Sequence, residues 1–229
     1  MTKRTHELTM QELELELKRA ELEEKNIQIE IASHIEQEKF NRNKEATRVH
    51  KLKEHMAANR TLHLNGDVDD SMLHHADETL RYWERENDVD NKPPGRVEVV
   101  LDTHGGSVTD GLAIIDLIRE YQNKGWTIDT RVMGTAFSMG AVILQAGATR
   151  SMSPHSTFMI HEISSMVWGK ASDIKDRQAY MEKLEELTLN LLSERSNYTA
   201  DEVRAIQDRK DVFMNAAETL EHGFVDEIR

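Results

Sequence analysis

Residues 134–140 read GTAFSMG, and Ser138 in their midst is either a nucleophile or a small residue packed in a tight turn. Its Ala, Met and Gly neighbours allow both, because a turn into a helix needs small residues with or without chemistry. A nucleophilic serine needs a base to take its proton, an acid to orient that base, and N–H donors for the oxyanion. His161 closes the apolar run FMIH and is the natural base, the plain alternative being a histidine satisfied by backbone. Asp211, just ahead of the apolar VFM, could orient the imidazole, although it is one of 42 acidic residues. Gly105 and Gly106 stand in a glycine turn after a neighbouring strand, where backbone N–H groups are exposed. The chemistry these residues would perform is acyl transfer, which requires no metal or cofactor.

The elements that must position them follow a β-then-α rhythm from residue 60 onward. TLHLNG (61–66) predicts a strand ending at a glycine, and residues 68–86 have the aspartate cap and spaced apolar positions of a helix. RVEVVLDT (96–103) predicts a second strand, residues 108–125 a helix ending in glycine, and WTIDTRVMG (126–134) a third strand running into the serine turn. HSTFMIH (155–161) is strand-like. In the long helix predicted over 173–197, Tyr180, Leu184, Leu187, Leu191 and Leu192 recur at helical spacing. Such alternation implies right-handed βαβ crossovers and an α/β fold.

Residues 1–58 follow another grammar. They contain no Gly or Pro and are dense in Glu, Lys, Leu, Gln and Ala, so they predict a charged helical arm, with 59–229 as the body. Leu8, Leu15, Leu22 and Ile29 repeat every seven residues, but Leu13, Leu17, Ile27 and Ile31 do not complete one coiled-coil seam. Eleven Lys and Arg against twelve Glu leave the arm nearly neutral, so most of the formal charge of −13 lies on the body. That acidity argues against nucleic acid and anionic membranes as partners and favours protein. The chain has no Cys, which excludes a disulfide framework and a thiol nucleophile and fits a cytoplasmic setting. Its longest apolar stretch, about AVILQAGA at 141–148, is far short of the ~20 residues of a membrane span. His55, His63, His74 and His75 read as exposed histidines, and a phosphate-binding loop motif is missing, so any ATP hydrolysis would come from another chain.

GTAFSMGAVILQAGA followed by STFMIHE resembles the nucleophile and histidine segments of the Clp protease proteolytic subunit family. LHLNGDVDDSM, LDTHGGSVTDGLAIID and DVFMNAAETLEHGFVDEI resemble, in order, that family's first strand, its oxyanion segment and its acid-bearing segment. The likeness runs from about residue 60 to the end. It implies Ser138 as nucleophile, His161 as general base and acid, Asp211 as orienter, and the N–H groups of Gly106 and Met139 as oxyanion hole. It further implies a crotonase-like stack of βαβ units with a protruding handle, strand 163–169 and helix 173–197. Two stacked rings, usually of seven subunits, would enclose a chamber fed by a partner AAA+ unfoldase. A polypeptide substrate would add as a β-strand along Gly105, Ser107 and Val108 on one side and Ile163 and Ser164 on the other.

The sequence also departs from that family. His104 stands where a proline usually precedes the glycine pair, Glu162 and few glycines follow His161 where a Gln-Pro pair and glycines are common, and the arm replaces a short apolar pore loop. The arm is therefore expected to bind a partner or serve assembly. The competing readings are a catalytically latent scaffold or regulatory subunit acting through the arm, and a crotonase-type acyl-CoA enzyme, for which an aligned Ser and His would have no use. A signal-peptide peptidase would need a Ser–Lys pair, and AFSMG departs from the G-x-S-x-G elbow at its first position.

Overall fold

The structure is a computed structural model and describes residues 18–19, 22–23, 25–28, 30–48, 60–90, 94–164 and 168–229. The chain separates into two units, Met1–His55 and Met56–Arg229. In the first, residues 25–28 and 30–48 are helical (α1), and the side chains of Ile27, Ile31 and Ile35, four residues apart, are exposed. Arg42 pairs with Glu38 at 3.4 Å along the same helix. Leu8, Leu13, Leu15, Leu17 and Ile29, on which the heptad question turned, lie outside the described residues.

Among the described residues, the second unit is built on a seven-stranded sheet. Strands β1 (Thr61–Val68), β2 (Arg96–Gly106) and β3 (Thr127–Phe137) run parallel in the order β1-β2-β3. Between them lie α2 (Asp70–Asp90) and α3 (Val108–Asn123), the crossovers that the rhythm of the sequence predicts. A sheet covered by helices buries its strands, and Leu62, Leu64, Val97, Val99, Leu101, Ile128 and Val132 are all fully buried. Leu80 and Trp83 of α2 and Ile114, Ile115 and Ile118 of α3 join this core.

β3 changes partners along its length, and this places the site. Its first half, Thr130 to Val132, pairs with β4 (Arg150–Met152), which in turn holds β7 (Glu227–Ile228). Its second half, Thr135 to Phe137, pairs instead with β5 (Thr157–Ile160). The switch falls at Gly134, whose φ of 110° a side-chain-bearing residue rarely adopts and where a Cβ would meet Asp102 Oδ1 at 2.3 Å. Asp102 Oδ1 accepts from the Thr135 N–H at 3.0 Å, and Ser156 Oγ accepts from the Gly134 N–H at 3.0 Å. Two side chains thus take up N–H groups at the break in the ladder. β3 consequently runs to Phe137 rather than stopping at Gly134, and it delivers the chain directly to Ser138.

The helix after the serine, α4 (Met139–Leu144), is six residues long and wholly buried. Its small residues let it sit close: a Cβ on Gly140 would come 2.5 Å from Thr103 Cγ2. α5 (Ala171–Ser193) is exposed on all sides over residues 171–180 and then buries Leu184, Thr188, Leu189 and Leu192. Tyr180 and Leu187 are half exposed: Tyr180 belongs to the exposed first turns of α5, and Leu187 lies at the edge of the face that buries Leu184, Thr188 and Leu192. The handle strand expected over 163–169 has no ladder at 163, 164, 168 or 169, since the pairing of β5 ends at Ile160; residues 165–167 lie outside the described residues. The chain closes with α6 (Ala200–Gln207), β6 (Val212–Asn215) and α7 (Ala216–Glu221), both helices starting in capping boxes, Thr199 with Glu202 and Asn215 with Glu218. Among the described residues no helix is long and apolar enough to cross a membrane.

Candidate active site

Ser138 occupies the single residue between the end of β3 and the start of α4. Its φ of 53° and ψ of −118° lie in a region that costs a residue with a Cβ energy, and such outliers persist where the surroundings enforce them. Here β5 enforces it. The parallel pairing sets Phe137 beside Met159, and the Ser138 N–H donates to the Met159 carbonyl at 2.9 Å. The turn therefore holds Oγ at the strand end, free of any helix-capping bond.

The same strand carries the imidazole. His161 is the first residue beyond β5, and its Nε2 lies 2.8 Å from Ser138 Oγ. The Ser138 hydroxyl can donate to that nitrogen when the ring proton is on Nδ1, the arrangement a general base requires. β6 runs antiparallel to β5 with Ile160 opposite Val212, so the register brings Asp211 beside His161. Asp211 Oδ1 lies 4.0 Å from His161 Nδ1, which is ion-pair distance and longer than a hydrogen bond. The Asp211 side chain is 60% exposed against 22% for His161.

The Ser138 turn packs on the glycine turn of β2. Gly105, at φ 94°, has no room for a side chain, since a Cβ would lie 2.7 Å from Ser138 Cβ and 2.8 Å from the Phe137 carbonyl. Gly106, at φ 153°, would bring a Cβ to 2.4 Å from the Val68 carbonyl. Met139 opens α4, so its N–H is among the first-turn donors that lack a partner within the helix. The Met139 side chain fills the space over Gly111 in α3.

A cleft of about 60 Å³ joins these groups. Gly106, Val108, Ser138, Met139, His161, Ile163 and Ser164 line it, so seven of the ten residues expected at the site share one cavity. Asp211 lines an adjoining, wider depression together with His161, Ile163 and Ser164. Gly105 and Ser107 line neither: Gly105 is buried against Ser138, and the Ser107 hydroxyl caps α3 by accepting from the Asp110 N–H at 3.3 Å. His104 faces solvent and stacks on Phe137 with ring centroids 5.3 Å apart, away from the cleft.

Two features escaped the sequence reading. The inner wall of the cleft is made by Val142, Ile160, Thr188, Leu192 and Gln207, from α4, β5, α5 and α6. Glu162 Oε1 accepts from the Arg209 N–H at 3.0 Å, and Arg209 has a φ of 56°, so the carboxylate pins a strained loop that leads to Asp211. The signal for α6 was present as T-x-x-E at 199–202, a capping box, whereas nothing local in the sequence links Glu162 to a residue 47 positions later.

Comparison with known proteins points to one family. The sequence profile of the family described as Clp protease matches residues 42–229. The chain is 35% identical over 172 residues to an ATP-dependent Clp protease proteolytic subunit of Bacteroides thetaiotaomicron, covering 74% of each chain. It is 33% identical over 173 residues to the subunit of that name from Streptococcus pneumoniae (74% of this chain, 84% of the other). It is 30% identical over 175 residues to that of Carsonella ruddii (76% and 85%).

Proposed function

The chain belongs to the Clp protease family, a family of serine endopeptidases, and from that premise we propose that Ser138, His161 and Asp211 carry its peptide-bond hydrolysis. The observation that carries the assignment is the 2.8 Å approach of His161 Nε2 to the Oγ of a serine held at a strained strand-to-helix turn. Ser138 Oγ attacks the substrate carbonyl carbon as His161 takes its proton. The carbonyl oxygen, now anionic, is held by the N–H groups of Gly106 and Met139. His161 returns the proton to the departing amine as the C–N bond breaks. Water, deprotonated by the same imidazole, then cleaves the Ser138 ester and restores the enzyme. Asp211 favours the tautomer with the proton on Nδ1 and offsets the charge of the imidazolium. Substrate would lie as an added strand along Gly106 to Val108 and Ile163 to Ser164, a backbone-reading mode that suits unfolded polypeptide.

The partners belong to the same proposal. The relatives' name includes ATP dependence, and this sequence has no phosphate-binding loop motif, so a separate AAA+ ATPase would supply unfolding. The subunits would stack as two rings, of seven each, around a chamber in the cytoplasm. Residues 1–58 would be an assembly or partner-binding arm, with 59–229 as the protease domain.

Intact mass after incubation with a fluorophosphonate tests the reading. One adduct per chain, mapping to Ser138 and abolished in Ser138→Ala and His161→Ala, is expected, because phosphonylation needs both the base and the oxyanion site. A folded, assembled protein that takes no adduct would instead be the latent scaffold, acting through its arm.

A further inference from the structure

Gln207 is 2% exposed, lines the inner end of the cleft that holds Ser138, and its Oε1 has no hydrogen-bond partner among the described residues. Buried amides are almost always satisfied, so an unsatisfied one facing a substrate cleft marks a place where a ligand supplies the missing bond. The walls leading to it are apolar: Val108, Met139, Val142, Ile160 and Leu192. Thr188, also on the wall, spends its hydroxyl proton on the Glu185 carbonyl at 2.9 Å, so it offers no donor to the cleft.

We propose that this inner slot is the S1 subsite and that Gln207 makes it select glutamine as the residue whose carbonyl Ser138 attacks. The assignment rests on the hydrolase reading and names what that site accepts. The whole cleft holds only about 60 Å³, so its inner end admits a slender side chain and excludes an indole. Rotation about the Gln207 Cγ–Cδ bond exchanges its oxygen and its NH₂ group, and a carboxamide, which carries both an acceptor and a donor, pairs with either. Leucine has similar volume but would seal Gln207 from water without replacing the lost bond, which is the situation that sites built for a polar substrate group discriminate against. A lysine would bury an ammonium among neutral walls with no counter-charge. Serine and threonine are too short to reach the end of the slot.

The test uses the full chain and fluorogenic peptides that differ only at the P1 position: Gln, Leu, Lys and Glu. The wild-type protein is expected to show kcat/KM for P1 Gln about tenfold above P1 Leu, the worth of one buried hydrogen bond. Lys and Glu should be the poorest substrates. In Gln207→Leu the Gln-to-Leu ratio should fall to one or below. A wild-type preference for Leu, or a Gln preference that survives in Gln207→Leu, overturns the subsite assignment. The wild-type series decides the matter by itself should the variant fail to fold. If no peptide is cleaved while Ser138 still takes the fluorophosphonate, the subsite assignment falls and the hydrolase reading stands. If Ser138 takes no label and no peptide is cleaved, both fall together.

Discussion

Asp211 Oδ1 stands 4.0 Å from His161 Nδ1, and the carboxylate is mostly in solvent. At that separation water screens much of the attraction, and Asp211 makes no hydrogen bond to the ring. In the proposed mechanism the acid should therefore contribute less than the other two groups. Asp211→Asn should reduce kcat/KM by a factor at least ~10 smaller than Ser138→Ala does, as expected when the orienting acid is the most dispensable member of the set. Steady-state kinetics on one fluorogenic peptide with the three single variants checks this, and equal losses for Asp211→Asn and Ser138→Ala would count against the geometry.

Glu162 acts on Asp211 through the backbone. Its carboxylate takes the Arg209 N–H, and Arg209 holds a φ of 56° that a residue with a side chain leaves readily when released. Glu162→Ala should lower kcat/KM about three- to tenfold, the worth of one exposed charge-assisted hydrogen bond, while Glu162→Gln, which keeps an acceptor, should recover most of the loss. A purely electrostatic influence of Glu162 on His161 would give the opposite result, Gln and Ala behaving alike.

Two glycines with the same φ of 94° separate backbone strain from packing at the site. A Cβ on Gly66 meets nothing within 4 Å, whereas one on Gly105 lands 2.7 Å from Ser138 Cβ. Both alanine variants should lose about 1–3 kcal/mol of stability from the strained φ, and Gly105→Ala about 1–3 kcal/mol more from its overpacked Cβ. Only Gly105→Ala should slow fluorophosphonate labelling, by roughly a hundredfold, because displacing a reacting atom by about an ångström has that effect. Thermal melts and labelling rates measured side by side make the comparison.

Burial alone would raise the Asp226 carboxyl, but hydrogen bonds from the Arg150 side chain and N–H, with the charges of Arg150 and Arg195, hold it below its ordinary value. Arg150 Nη2 lies 2.6 Å from Oδ1 and Arg195 Nη2 lies 2.9 Å from Oδ2, tying β4 and the segment after α5 to the C-terminal strand. A carboxyl held low in the folded state stabilises the fold above the ordinary value of 3.8, and this contribution fades as pH drops through the lowered value. The melting temperature should therefore fall with acidification below about pH 4, and Asp226→Asn should flatten that part of the profile. The variant should lose about 2–3 kcal/mol at neutral pH, less than for a fully buried pair since Asp226 is one-third exposed.

The parts of this molecule that were legible beforehand are those whose signal is local. The runs VEVVL and FMI, the small residues after Ser138 and the spaced leucines of α5 each carry their own period or composition, and β1, β2, α3 and α5 lie close to where those patterns set them. β3 was misjudged at its end because its last three residues pair with β5, which lies farther along the chain, and a glycine read alone says stop. β4 and β7 are three and two residues long, too short for any alternation to register. Ser138 and His161 could be singled out because each follows an apolar strand-like run and stands in a segment that resembles the Clp protease family. Gln207 could not, since an isolated glutamine on a charged, amphipathic helix reads as surface, and only the packing of α6 against α5 turns it inward.

β5 holds the Ser138 N–H through Met159, delivers His161 one residue beyond its end, and sets the register of the strand that carries Asp211. During synthesis the serine emerges 23 residues before the histidine. A growing chain can complete β1, β2 and β3 and still own an inert hydroxyl. Competence arrives only when β5 zips onto the far half of β3. A chain cut before Thr157 would therefore keep the serine without His161, the base it needs to attack its neighbours.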